Sequence, residues 1–256
     1  MTGLGHPHVE LGMYPFDSVA WAWDEIWTAV HRRVPWTPAE LTRSGDVHAR
    51  WDDPDCVVTH VCGYPFASQH RHDLDVVGAF ALDIPEAEGA TYRSIVFGVD
   101  DRTIDELLAG RAHAVVNSEE SLSGWLSLLA ATVGAGHPWP GEVTFSGSHR
   151  TSMQVLAAGG GDLTSIDSWT VALVAEEQPG LVAGLRRIGL GPPVPTPAIA
   201  ARRTAGPGRV GELRAAFREA LADPATQPAQ RALRITGFVE RELGDYLPTL
   251  ALGPIR

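Results

Sequence analysis

Two stretches of the chain share one design. In "VVNSEESLSGWLSLL" and in "VTFSGSHRTSMQVL", β-branched residues lead into a Ser/Gly-rich turn and then into a helix-like run. The first N–H groups of a helix have no intrahelical partner and carry partial positive charge. Short side chains let an anion approach them, and serine hydroxyls add donors without bulk. Ser121, Ser123 and Gly124 would supply one such helix mouth, and Ser146, Gly147, Ser148 and His149 the other. Two helix ends aimed at one point could hold a tetrahedral oxyanion with no lysine or arginine. Taken alone, each stretch reads more simply as an ordinary serine N-cap. The pair together, with a histidine that can also donate, brings the anion site level with that reading.

Asp167 follows "LTSI", where a parallel strand would end, the edge at which open α/β sheets bind ligands. It could accept from a ligand ammonium or hydroxyl, and it also reads as the N-cap of "SWTVALVAEE". Tyr14 and Tyr64 repeat the order Tyr-Pro-Phe after two other expected strands, and Tyr92 is a third tyrosine of this kind. Their phenols could wall a cleft and donate to a ligand; packing of an aromatic on proline at a strand end is the plainer reading. Trp125 and Trp169 are the two tryptophans placed to line a pocket.

Other motifs carry less. "HPH" (6–8) and "HRH" (70–72) lack a carboxylate or cysteine at ligand spacing and read as loop histidines, so no metal site is expected. "GGG" (159–161) follows a helix and lacks the lysine of a phosphate loop, which makes it a C-terminal cap turn. Gly-x-Ser-x-Gly is absent, so "VTFSGSH" is no nucleophile elbow. No cofactor is expected.

The formal net charge of −11 and the absence of a basic run argue against a nucleic-acid partner, which needs a Lys/Arg-rich face. No stretch approaches the length of a membrane span, and "MTGLGHPHVELGMYPF" has neither a positive leader nor an apolar segment. As it stands the chain is expected in the cytoplasm, or in the periplasm or at the cell surface if a signal has been lost from it. Cys56 and Cys62 read as two half-buried small residues.

Short apolar runs alternate with amphipathic stretches, the pattern of an α/β protein. Strands are expected at 9–13, 56–61, 75–82, 92–99, 112–116, 142–145, 163–166, 185–190 and 198–202. Helices are expected at 17–33 with Asp17 as N-cap, at 103–110 with Gly110 just past its end, and at 210–223. Val19, Trp23, Ile26, Trp27 and Val30 share one helix face. The proline-rich "GPPVPTP" (191–197) reads as an extended passage between two lobes, matched by a second near Ala90–Ser94. One lobe would then hold residues 1–91 and 196–256, and the other 92–195.

In order along the chain, "YRSIVF", "AVVNSEESLSGW", "FSGSHRTSMQVLAAGGGDLTSIDSWT" and "GPPVPTPAIAAR" resemble the phosphate/phosphite/phosphonate-type substrate-binding proteins of ABC transporters. That family is a branch of the type 2 periplasmic-binding fold. The resemblance implies two α/β lobes of mixed sheets flanked by helices, joined by two crossover strands that act as a hinge near Tyr92 and Pro195. It implies a small anionic ligand contacted by Ser121, Ser123, Ser146, Ser148 and His149, bordered by Tyr14, Tyr64 and Tyr92, and faced by Asp167. It also implies an ABC transporter permease as partner and a monomeric protein that is not an enzyme.

Two alternatives share this fold. One is a cytoplasmic enzyme resembling those of menaquinone or thiamin-pyrimidine synthesis, with His149 and Asp167 as an acid–base pair. The other is an intracellular ligand sensor.

Overall fold

The computed structural model of the protein describes residues 5–43, 46–206 and 208–254. Its chain divides into two units. The first holds the residues up to Asp83, Glu88–Ala90 and Pro195–Leu247; the second holds Ile84–Ala87, Thr91–Val194 and the residues from Pro248 on. The sequence reading keeps 196–256 whole, whereas here the end of that segment groups with the second unit.

In the first unit a five-stranded sheet runs in the order His8–Glu10, Cys56–Val61, Ala198–Arg202, Leu74–Leu82, Ile235–Glu240. The first two strands are parallel, and Ala198–Arg202 runs antiparallel to both of its neighbours. The helix Ala20–His31 buries Trp23, Ile26, Trp27 and Val30, the face expected from their spacing. Against it packs the helix Arg209–Ala222, whose Phe217 ring lies 6.4 Å from Trp27. Cys56 and Cys62 are buried free thiols.

In the second unit the order is Arg186–Leu190, Ser94–Gly98, Leu163–Asp167, Ala114–Val116, Val143–Phe145. Ala114–Val116 is parallel to both Leu163–Asp167 and Val143–Phe145. Val96, Leu107, Ala114, Val116, Leu128 and Leu163 form the core beneath the helical segment Leu122–Ala131. A third, small sheet pairs Val194–Pro195 with Thr91–Tyr92 and Ala87–Glu88, where the chain changes unit.

Several local expectations fail for identifiable reasons. Asp17 does not cap: Phe16 holds the cap position of a single tight turn, Asp17–Val19, and the helix proper starts at Ala20. Gly110 ends its helix with φ −77°, and the left-handed residue is Arg111 at φ 54°. The strand expected at 92–99 is broken at Arg93, whose N–H turns to the Glu86 carbonyl. His8 and His70 are not loop residues. His8 lies buried in the first strand and His70 buried at a helical turn, where its ring meets Trp51. Trp169 is fully buried, and Trp125 packs on the core against Trp139 and Phe145, so both serve packing.

Candidate oxyanion-binding site

Parallel pairing brings the ends of three strands to one edge of the second unit's sheet. Val116 stands level with Phe145, and Leu163 with Ala114, so Asn117, Ser146 and Asp167 leave the sheet on the same side. Each strand then feeds a helix whose N-terminus is capped by a side chain from that edge. Ser121 Oγ accepts from Gly124 N–H at 3.0 Å, Ser148 Oγ from Thr151 N–H at 3.1 Å, and Asp167 Oδ1 from Thr170 N–H at 2.7 Å. The capping reading holds for all three.

The tips also meet one another. Ser123 Oγ is 2.9 Å from His149 Nε2, which joins the first turns of two helices. The same nitrogen lies 3.3 Å from Asp167 Oδ2, the cap of the third helix. Ser165 Oγ donates to the Ser123 carbonyl at 2.8 Å and so anchors the first tip to the central parallel strand.

Hydroxyls and amides of the connecting turns hold this arrangement in place. Ser146 N–H and Gly147 N–H extend the ladder to the carbonyls of Val116 and Asn117, at 2.8 and 2.9 Å. Gly147 sits at φ +88°, a conformation that a side chain at this turn would strain. Ser146 Oγ is shared between the Ser148 carbonyl and Ser152 Oγ, and Ser148 Oγ pairs with Thr151 Oγ1 at 2.7 Å. Gly124 lies under the Asn117 amide, and a Cβ there would collide with the amide oxygen. Asn117 escaped the sequence reading; its place directly after a strand at this edge was the available signal. Its Oδ1 is buried with no hydrogen-bond partner among the described residues.

Burial lowers the His149 pKa; the Asp167 charge and the Ser165 carbonyl act in the opposite sense without reversing it. The ring is therefore neutral at pH 7 and carries one proton. Beside a carboxylate that proton belongs on Nε2, where it also reaches Ser123 Oγ. Ser123 then accepts from His149, and its own hydroxyl hydrogen is left for a further acceptor. His149 and Asp167 are within reach of each other, as an acid–base pair would require. A serine–histidine–carboxylate relay, however, uses the two ring nitrogens separately, and here one nitrogen serves both partners.

Tyr92 belongs to the second unit and is buried; Tyr14 and Tyr64 belong to the first and are buried as well. Tyr14 packs 6.0 Å from His60.

Residues 58–246 match the family described as ABC transporter, phosphonate, periplasmic substrate-binding protein. The chain belongs to this family. A phosphonate-type substrate-binding protein is a solute-binding protein, and the enzyme reading is not favoured. Among solved structures, the binding-protein component of an ABC phosphonate transporter from Pseudomonas aeruginosa is 13% identical, over 96% of this chain and 84% of its own, with a TM-score of 0.78. PhnD1 from Prochlorococcus marinus, solved with methylphosphonate, is 13% identical over 96% of both chains, with a TM-score of 0.76. A Xanthomonas citri protein solved with ATP is 14% identical over 96% of this chain and 95% of its own, with a TM-score of 0.66. These likenesses show the fold of the two-lobed periplasmic binding proteins. No curated protein matches the chain.

Proposed function

We propose that this phosphonate-type substrate-binding protein takes up a small phosphorus oxyanion, a phosphonate, phosphite or phosphate, at the three converging helix tips of its second unit. Ser121, Ser123, Ser148 and His149 supply donors, while Gly124, Ser146 and Gly147, whose amides are already bonded within the protein, shape the turns that present them. Asp167 accepts from a hydroxyl or ammonium on the ligand. The observation that carries this reading is the single nitrogen of His149 tying Ser123 to Asp167. It places two electropositive tips a hydrogen bond apart, and backbone amides there can hold an anion without a cationic side chain. For Tyr14, Tyr64 and Tyr92 a role in the site rests on the resemblance alone.

Family membership supports delivery of the solute to an ABC transporter permease from the periplasm, the second of the two compartments considered for the chain. No helix among the described residues is long and apolar enough to cross a membrane.

Titration calorimetry against phosphate, phosphite, methylphosphonate and aminoethylphosphonate tests the reading. Saturable binding of at least one of them, weakened by His149→Ala, is expected. Silence across the panel from a correctly folded protein would overturn it.

A further inference from the structure

The first unit contains a cavity of about 200 Å³ that the oxyanion site does not use. Its floor is apolar, made by the buried side chains of Phe66, Leu74 and Val76 at the edge where the strand Leu74–Leu82 begins. Three arginines face it: Arg71, Arg203 and Arg214.

Two of these guanidinium groups are neutralised by carboxylates that line the same cavity. Arg203 Nε is 2.8 Å from Asp75 Oδ1, and Arg214 is 2.7 Å from Glu242 Oε1. Arg214 also donates to the Val77 and Arg241 carbonyls, which fixes its position. Arg71 differs. It donates to the Ala67 carbonyl at 3.0 Å and to His72 Nε2 at 3.2 Å, and no carboxylate among the described residues pairs with it. The cavity therefore holds three positive and two negative side chains, with the excess charge on Arg71.

The geometry points to a second binding site here, for a small organic monoanion: a carboxylate on a short apolar body. The carboxylate would engage the free face of the Arg71 fork, the planar match that guanidinium makes best. The body would cover Val210 and Leu243, the half-buried apolar residues that line the same cavity. A dianion is disfavoured, because Asp75 and Glu242 already stand at the rim. The space is below the usual range of ligand pockets and suits a guest of the size of butyrate or benzoate. The cavity is lined wholly by the first unit and the oxyanion cluster wholly by the second, so the two sites can be tested separately.

Titration of the intact protein with benzoate and butyrate, followed by calorimetry or by amide chemical shifts, decides the matter. Saturable binding in the millimolar range is expected for guests of this size. Arg71→Ala should weaken it about tenfold or more. Val210→Phe fills the cavity from its wall without altering any guanidinium and should abolish it. Butylamine, of similar size and opposite charge, should not bind. His149→Ala, which damages the oxyanion site, should leave benzoate binding intact and so separates the two readings. Absence of benzoate and butyrate binding in the wild-type protein would overturn the assignment. So would binding that survives both Arg71→Ala and Val210→Phe, or that is lost in His149→Ala.

Discussion

Ser123 Oγ and His149 Nε2 stand 2.9 Å apart although 26 residues separate them in the chain. That bond is the point at which two separately capped helices become one site. If both groups serve the same ligand, their contributions should not add. Ser123→Ala and His149→Ala should each lower phosphonate affinity by about 10- to 150-fold, the range for losing a hydrogen bond to a charged group. The double variant should lose less than the product of the two. A calorimetric double-mutant cycle that came out additive would show that the bond does not organise the site.

Ser148 is expected to show itself first in stability. Its hydroxyl already accepts from Thr151 N–H and pairs with Thr151 Oγ1. Ser148→Ala should cost about 1 kcal/mol in denaturant unfolding, and Ser148→Gly only a few tenths.

Asp167 has two functions that two substitutions can separate. Asn can cap a helix as Asp does, so Asp167→Asn should retain most of the stability that Asp167→Ala loses, about 1–2 kcal/mol. Removing the carboxylate also removes a like charge from beside the bound anion. Asp167→Asn should therefore tighten binding of a ligand that lacks donors, such as methylphosphonate as its dianion, and weaken binding of aminoethylphosphonate. Affinities for the two ligands moving in the same direction would contradict this.

Two buried groups in the first unit set opposite pH limits. Burial pushes the Glu10 carboxyl up to about 7, against hydrogen bonds from the Gly12 backbone and Thr59 and the Arg50 charge. The folded protein thus holds a proton there that the unfolded chain has already released, and stability falls as pH rises from about 4.5 through 7. His60 lies among Tyr14, Trp23 and Phe80, and burial holds its ring down at about 3. Its effect has the other sign: stability falls as the pH drops below about 6.5 towards 3. Glu10→Gln should therefore raise Tm relative to the wild-type protein at pH 8 more than at pH 5, with a gain of up to about 3 kcal/mol. A Tm difference that does not change with pH would show that Glu10 is not held protonated.

Much of the fold was legible locally. Cys56–Val61 and Ala198–Arg202 fall where their apolar runs placed them, and the buried face of Ala20–His31 follows from helical spacing. The Ser-rich helix starts, the Asp167 cap and the Gly159 turn were readable too, because capping couples residues only a few positions apart. Arg111 was not. Gly110 is the residue that tolerates a left-handed conformation most cheaply, yet the helix runs one residue further, and Arg111 takes that conformation while its N–H and that of Ala112 bond back to the Leu108 and Leu107 carbonyls.

What the amino-acid order by itself determined was the capped helix starts at Ser121, Ser148 and Asp167 and the strands Cys56–Val61 and Ala198–Arg202, since those are contests between near neighbours. Tertiary structure alone decided that Asn117 covers Gly124, that one nitrogen of His149 serves both Ser123 and Asp167, and that Arg71 is left without a carboxylate among the described residues. Contacts of this kind depend on strand register and parallel pairing, which bring distant residues to the same edge and leave no periodic trace in the chain.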